Sequence, residues 1–148
     1  LEDNLYNPSL NIEGAKYSGS SKNGQKYSIS ASLISESPNN NKVLNMISPN
    51  ASIVSKNQTI LISSEKGEFN LENKEIILND SVSLTDKKLN YTLFSESLHA
   101  NLNKSEFYSN SSIKIIIPSG VITSEKFNYK KIENKVLFSG KTKLVLLK

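Results

Sequence analysis

Histidine and cysteine carry much of the acid–base, nucleophilic and metal chemistry of proteins, and this chain has one His and no Cys. A Ser-His-Asp arrangement needs a histidine base, and zinc sites are usually built from several His or Cys ligands. The single histidine, His99, alternates with Leu98 and Ala100, so its side chain points away from the face that those two share. We therefore expect a surface or strand-filling role for His99, and we predict no metal, no cofactor and no catalytic residue.

Carboxylates recur at Glu65, Glu96 and Glu125, but they do not have the spacing of a metal-binding loop. A catalytic carboxylate pair is defined by its separation in space, which the sequence does not give, and nothing in the chain favours one. Glycine-rich phosphate-binding motifs are also absent from the sequence. The chain is therefore predicted not to be an enzyme.

Composition narrows the possible partners. The chain has 148 residues and a formal net charge of +4, and its lysines are scattered along the sequence. Scattered lysines are typical of a solvated face, so no nucleic-acid partner is predicted, although they could help to hold an anionic head group. No apolar run approaches the roughly 20 residues that span a bilayer, so a membrane anchor, if the protein has one, is expected upstream of this sequence.

Apolar and polar residues alternate along several segments, which is typical of strands that are buried on one face. The alternation includes Tyr27, Ile29, Ala31 and Leu33, and it returns at 98–102 and 113–117. Clusters of turn-forming residues separate such segments at 37–41, 79–81, 110–112 and 118–120. The pattern predicts an all-β protein.

Three segments, 64–84, 95–115 and 124–144, resemble one another. Each begins with Ser-Glu and leads through a strand and a polar turn to a second strand, and a weaker first copy covers 27–54. Because a single unit could not bury its apolar face, we expect stacked units to share one core. The predicted fold is an elongated antiparallel β-jellyroll or solenoid-like stack of strand pairs with an apolar inner trough.

The first part of the chain lacks the repeat. Residues 1–22 contain turn-forming clusters around a short extended piece, which indicates an N-terminal tether or edge segment. We predict one further domain, the β-jellyroll, over residues 23–148.

Several short motifs occur in a fixed order. They are the Asn-Pro pair at 7–8 and the segments 23–31, 64–84, 116–122 and 136–144. In this order they resemble the family of the lipopolysaccharide export protein LptC, and the resemblance covers nearly the whole chain. Asn79 and Asn110 stand where the family pattern often has glycine, and asparagine tolerates left-handed backbone better than most residues. Ser64 replaces the usual alanine.

The resemblance implies a periplasmic domain that is tied to the inner membrane by a helix upstream of this sequence. It implies a bridge that receives lipopolysaccharide from the LptBFG transporter at its N-terminal edge and passes it to LptA at its C-terminal edge. The partner edge implied for LptA comprises Val136, Phe138, Leu144 and Leu146. Gly120 matches a family glycine before a late strand, where a bulky residue is expected to disturb the sheet.

A stack with one apolar face turned inward can shelter acyl chains while the head groups stay in water. The candidate lining residues are the in-phase apolar ones: Tyr27, Ile29, Ile60, Ile62, Phe69, Leu71, Ile76, Leu78, Leu93, Leu98, Leu102, Ile113, Ile115, Phe127 and Phe138. Plain core packing is the alternative role for each of them. For the whole chain, the alternatives are an extracellular structural or adhesive β-solenoid and a soluble periplasmic carrier of the LptA type.

Overall fold

The computed structural model describes residues 11–20, 24–104, 106–130 and 135–147. These residues form sixteen strands and no helix, hence none that could cross a membrane. The strands are β1 (Asn11–Glu13), β2 (Lys16–Ser20), β3 (Lys26–Ser30), β4 (Leu33–Ser37), β5 (Asn40–Ile47), β6 (Asn50–Ser55), β7 (Gln58–Ser63), β8 (Lys66–Asn70), β9 (Glu75–Asp86), β10 (Tyr91–Asn101), β11 (Glu106–Ser109), β12 (Ile113–Ile117), β13 (Gly120–Ser124), β14 (Lys126–Lys130), β15 (Lys135–Ser139) and β16 (Lys143–Leu146). The predicted all-β fold is confirmed.

All the strands belong to one antiparallel sheet that folds over into two layers. Layer A has the order β1-β4-β5-β8-β9-β10-β11-β14-β15, and layer B has the order β2-β3-β6-β7-β9-β10-β12-β13-β16. The long strands β9 and β10 belong to both layers, because one half of each pairs in layer A and the other half in layer B. Strands β1 and β15 end layer A and β2 and β16 end layer B, so the sheet is an open jellyroll-like stack.

The chain crosses between the layers at corners along one side of the stack, and hairpin turns close the opposite side. Most corners are evenly spaced, at positions 32, 48, 64, 80, 96 and 112. Backbone hydrogen bonds join neighbouring corners, as from Ser48 N to Glu65 O at 2.8 Å and from Glu65 N to Asp80 O at 2.9 Å. The corners therefore continue the pairing of the strands around the bend.

Within the described residues, four of the five corners that lead from layer A to layer B turn through left-handed backbone, and the exception is the corner at 110–112. Residues with positive φ at these corners are Gly14 (63°), Ser48 (52°), Asp80 (69°), Ser81 (52°) and Gly140 (79°). Small or Asx-type residues are the ones that adopt this conformation at low cost. The predicted turn at 79–81 is therefore a corner inside the continuous strand β9, and the left-handed residues are Asp80 and Ser81 rather than Asn79.

Corners that lead from layer B to layer A are closed by serine hydroxyls. Ser32 Oγ donates to Ile47 O at 3.0 Å, and Ser64 Oγ donates to Lys66 O at 2.8 Å. Ser124 Oγ, which is buried, lies 3.0 Å from Ser139 O and 2.9 Å from Thr142 Oγ1. The Ser-Glu pairs that open the repeats are these corners.

The structure refines the repeat. Each Ser-Glu unit contains two corners at which the chain crosses between the layers. It therefore consists of two smaller units, each of which is a strand that bends at one corner. The alternation that begins at Tyr27 also breaks at a corner: β3 ends at Ser30, and beyond Ser32 it is Ile34 that is buried while Leu33 is only half-buried. The bend resets which alternate positions face inward.

The N-terminal part contributes two strands. Residues 11–13 form β1, which pairs with β4, and residues 16–20 form β2, which pairs with β3. The Asn-Pro pair at 7–8 and the start of the 23–31 motif lie outside the described residues. The division of the chain at residues 22 and 23 stays a prediction.

Candidate functional site

The space between the layers contains the predicted lining residues. All of them are buried except Leu71 and Phe138, which are half-buried and pack against the same apolar cluster. Leu93 and Leu98 of β10 are 0% exposed, and Phe69 of β8 is 1% exposed. In this conformation the side chains of the two layers form one continuous packed core, so bound acyl chains would have to displace it.

Several core residues were not predicted. They are Ala31, Ile34, Met46, Ala51, Ile53, Val82, Leu84, Ala100, Phe107 and Tyr129. Ile34 was missed because the corner at Ser32 shifts the inward phase, and a similar shift occurs in β10, where Ser95 and Leu98 are buried on either side of a corner. The register between paired strands would identify the remaining core residues, because inward residues pair with each other, as Phe107 does with Tyr129.

Near the N-terminal end of the interior, an aromatic cluster joins the layers. Tyr17 of β2 contacts Phe69 of β8 edge-on with ring centroids 5.2 Å apart, and it stacks on Tyr27 at 6.2 Å. Lys74 Nζ, from the turn between β8 and β9, donates a hydrogen bond to Tyr17 Oη at 3.1 Å. Burial raises the pKa of Tyr27, while the nearby Lys74 ammonium opposes that rise. This end of the interior is therefore covered by rings and one cation.

A polar cluster lies at the hairpin side of the interior. Asp86 is 0% exposed, and its carboxylate accepts hydrogen bonds from Gln58 Nε2 at 2.5 Å and from the backbone N–H of Lys88 at 2.9 Å. Burial raises the pKa of Tyr91, and the Asp86 carboxylate raises it further; burial also raises the pKa of Tyr129. The carboxylate caps the turn between β9 and β10 and has its hydrogen-bonding capacity occupied, as expected of a structural group.

The C-terminal end of the interior is open to solvent. The predicted partner-edge residues Val136, Phe138, Leu144 and Leu146 lie on β15 and β16, the last strands of the two layers. Their register partners place them on the inward face: Val136 pairs with buried Tyr129, and Leu144 pairs with Ile122. Val136 is 46% exposed, Leu144 is 55% exposed and Leu146 is 63% exposed. The core therefore continues into uncovered apolar side chains beside unpaired strand edges.

Gly120 begins β13 and faces the backbone of β16. A Cβ at this position would lie 2.2 Å from Val145 O and 3.1 Å from Leu146 Cα. Only glycine allows the two strands to approach this closely. The glycine thus sets the position of β16 and of its inward leucines.

His99 lies on the outer face of layer A. Its ring stacks on Tyr108 with centroids 4.6 Å apart, and Nδ1 lies 3.1 Å from Tyr108 Oη. The pair borders a surface cleft of about 330 Å³. Over the described residues, no group of three or more His, Cys, Asp or Glu side chains could hold a metal ion.

These features define an open antiparallel β-jellyroll module with an apolar interior and pairable ends. The family model for "Lipopolysaccharide-assembly, LptC-related" matches residues 2–146, so the chain belongs to the LptC-related family. This membership gives it a part in lipopolysaccharide transport. A comparison with curated proteins found no match.

Proposed function

We propose that this chain is a non-enzymatic bridge that binds lipopolysaccharide, receives it from the LptBFG transporter and passes it to LptA. It acts in the periplasm, held at the inner membrane by a helix that precedes this sequence. The family match supports the transport role. The observation that carries the bridging role is the contrast between the ends of the interior: rings and a lysine cover the N-terminal end, while inward apolar side chains are uncovered at the C-terminal end.

The C-terminal end suits pairing with another jellyroll. Strands β15 and β16 each pair on one side only within the described sheet, so each has backbone N–H and C=O groups free to join a further strand. A partner that extends both layers would cover Val136, Leu144 and Leu146 and would continue the apolar interior. We assign this edge to LptA and the N-terminal strands β1 and β2 to the transporter.

Lipid binding needs a change in the packed interior. Burial of acyl chains contributes about 0.8 kcal/mol of favourable free energy per CH₂. A lipid with several acyl chains can therefore offset the free-energy cost of separating the two layers. The chain connects one layer to the other at the corners, whereas each hairpin turn stays within a single layer. The layers can therefore separate at the hairpin side while the corners keep them joined. No covalent bond is made or broken, so directed movement depends on energy supplied by the transporter.

Site-specific photocrosslinking in cells tests the proposal. A photoreactive residue at Ile62 or Phe69 faces the interior, whereas one at Leu61 faces outward on the same strand as Ile62 and is the matched control. We expect lipopolysaccharide adducts at the inward positions and few at Leu61. Adducts at neither inward position, with the variants folded and the transporter active, would contradict lipid binding in the interior.

The partner assignment has a separate test. A photoreactive residue at Leu146 is expected to capture LptA, and one at Leu137, which is 56% exposed on the outward face of β15, is the control. Capture of LptA through β1 or β2 instead would reverse the assigned polarity.

A further inference from the structure

Lys74 is the cation that joins the layers near the N-terminal end of the interior. Its backbone is fixed, because its N–H donates to Asn70 O at 2.9 Å and its carbonyl accepts from Leu102 N–H at 3.0 Å. Its side chain reaches from layer A to Tyr17 of layer B, and the ammonium lies 5.6 Å from the centroid of the Tyr17 ring and 5.9 Å from that of Phe69. The anchor is rigid, and only the side chain has freedom to move.

This is a costly position for a lysine. Lys74 has a φ of 60°, a left-handed conformation that glycine or asparagine adopts more cheaply. The side chain is half-buried, and within the described part of the chain the partners of its ammonium are the phenol oxygens of Tyr17 and Tyr27 and two ring faces, with no carboxylate among them. Such neutral partners hold an ammonium less strongly than an anion does.

We propose that Lys74 binds a phosphate of the lipid head group, and that the phosphate draws the ammonium away from Tyr17 and frees the layers to part at this end. The inference rests on the proposed lipopolysaccharide function. The ammonium has three N–H donors and a long stem, so it can turn outward to an anion without movement of the turn that carries it. Acyl chains then enter beside the released Tyr17 and Phe69 rings while the phosphate stays at the surface. Lys74 thereby selects phosphorylated lipid.

The test compares lipid A that carries its phosphates with the same lipid A after enzymatic dephosphorylation, each in detergent micelles. Binding is measured for the full chain and for Lys74→Met, which keeps an apolar stem, and Lys74→Arg, which keeps the charge. Lys56→Met is the control, because Lys56 is an exposed lysine in the turn between β6 and β7. The melting midpoint of each variant checks that it is folded.

We expect the unsubstituted chain, Lys74→Arg and Lys56→Met to prefer the phosphorylated lipid by about tenfold, the discrimination typical of one charged hydrogen-bonded contact. Lys74→Met should lose this preference by binding the phosphorylated lipid more weakly, while its binding of the dephosphorylated lipid is not weakened. A Lys74→Met variant that weakens both lipids equally would indicate a structural role and overturn the inference. Equal binding of both lipids by the unsubstituted chain overturns this inference alone, whereas binding of neither overturns the proposed function as well.

Tyr17→Phe tests the release step. It removes the Tyr17 oxygen that accepts from Lys74 and leaves the ammonium, the aromatic ring and the Tyr27 phenol in place. We expect the preference for phosphorylated lipid to persist and the rate of lipid association to rise. An unchanged or slower rate would refute the release of Tyr17 as a step in binding.

Discussion

Replacing Gly120 with alanine should detach one edge strand and leave the rest of the sheet intact. Gly120 pairs with Leu146, and a Cβ there would meet Val145 O at 2.2 Å, closer than real Cβ contacts come. The obstructing atom is backbone, so no side-chain rotation can relieve the contact. Strand β16 is the element that can move, because it pairs only with β13 in the described sheet and its side chains are exposed.

The expected loss in the free energy of unfolding follows from the hydrogen bonds and the buried surface that β16 contributes. Its pairing with β13 covers the register from Gly120↔Leu146 to Thr123↔Lys143, and it buries little apolar surface. At about 1 kcal/mol per hydrogen bond, partial loss of this pairing should lower the free energy of unfolding by roughly 1–3 kcal/mol. This is less than a large core truncation costs, because the inter-layer packing is untouched.

Hydrogen–deuterium exchange is the appropriate assay. Peptides that cover 143–146 should lose protection in Gly120→Ala, and peptides from β9 and β10 should keep theirs. Gly24→Ala is a matched control: Gly24 has a φ of 86° and open space around its Cβ position, so alanine there costs about 1–2 kcal/mol of backbone strain far from β16. Unchanged protection of 143–146, or equal loss throughout the sheet, would refute the role assigned to Gly120.

Three other changes test the core, the corners and the buried tyrosines. Leu98→Ala, at a side chain that is 0% exposed, should lower the free energy of unfolding in urea by about 2–5 kcal/mol, whereas Leu137→Ala on the outer face should cost less than about 1 kcal/mol. Ser124→Ala should cost about 0.5–1.5 kcal/mol in the same assay, because it removes a buried hydroxyl that donates to Ser139 O; an unchanged free energy of unfolding would show that the serine hydroxyls do not stabilise the corners. Burial raises the folded-state pKa of Tyr91 above the ordinary 10.0, so stability is complete below about pH 10 and falls as the pH rises, since the unfolded chain ionises first. Tyr91→Phe should flatten this alkaline loss, and urea midpoints between about pH 9 and pH 11 would check it.

The period-two pattern predicted the fold class because a strand buried on one face must alternate. It predicted the inward residues well inside strands such as β10 and β12, where Leu98 and Ile113 are buried as expected. The alternation did not predict the inward residues beyond the corner at Ser32. Alternation at Tyr27 and Ile29 extrapolates to Leu33, but the corner at Ser32 makes Ile34 the inward residue. A bend of the backbone leaves no periodic signal in hydrophobicity.

The repeat that is visible in the sequence is twice the structural unit for a chemical reason. Alternate corners lead the chain in opposite directions between the layers, and most of them are stabilised differently: by serine hydroxyls such as Ser64 and Ser124 in one direction, and by left-handed residues such as Ser48 and Asp80 in the other. Only corners of the same sense resemble each other in sequence. A comparison of residues therefore gives a repeat that contains two bends, although the turn-forming residues at 79–81 and 110–112 mark the second kind of bend.

The contacts between the layers could not be predicted, because they join residues far apart in sequence. The hydrogen bond from Lys74 to Tyr17 spans the two layers, and so does the proximity of Tyr129 in layer A to the Gln58–Asp86 pair in layer B. Alternation along a single strand does not show which side chains of the other layer Tyr17 and Tyr129 contact. The Lys74–Tyr17 contact helps to close the N-terminal part of the interior, and the Gln58–Asp86 contact with Tyr129 joins the layers at the hairpin side.

The way in which the stack is closed determines where it can bind a partner. Along one side, the corners satisfy their own backbone and hydroxyl groups, and along the other side, hairpin turns end the strands. Over the residues that the structure describes, neither side offers a run of unpaired N–H and C=O groups, so the ends of the layers are the places where another chain can extend them. At the C-terminal end the two edge strands also carry inward apolar residues, Leu144 and Leu146 among them. A second jellyroll added there would satisfy the edges and cover the apolar side chains in a single step, which is the physical reason to expect transfer of lipid in that direction.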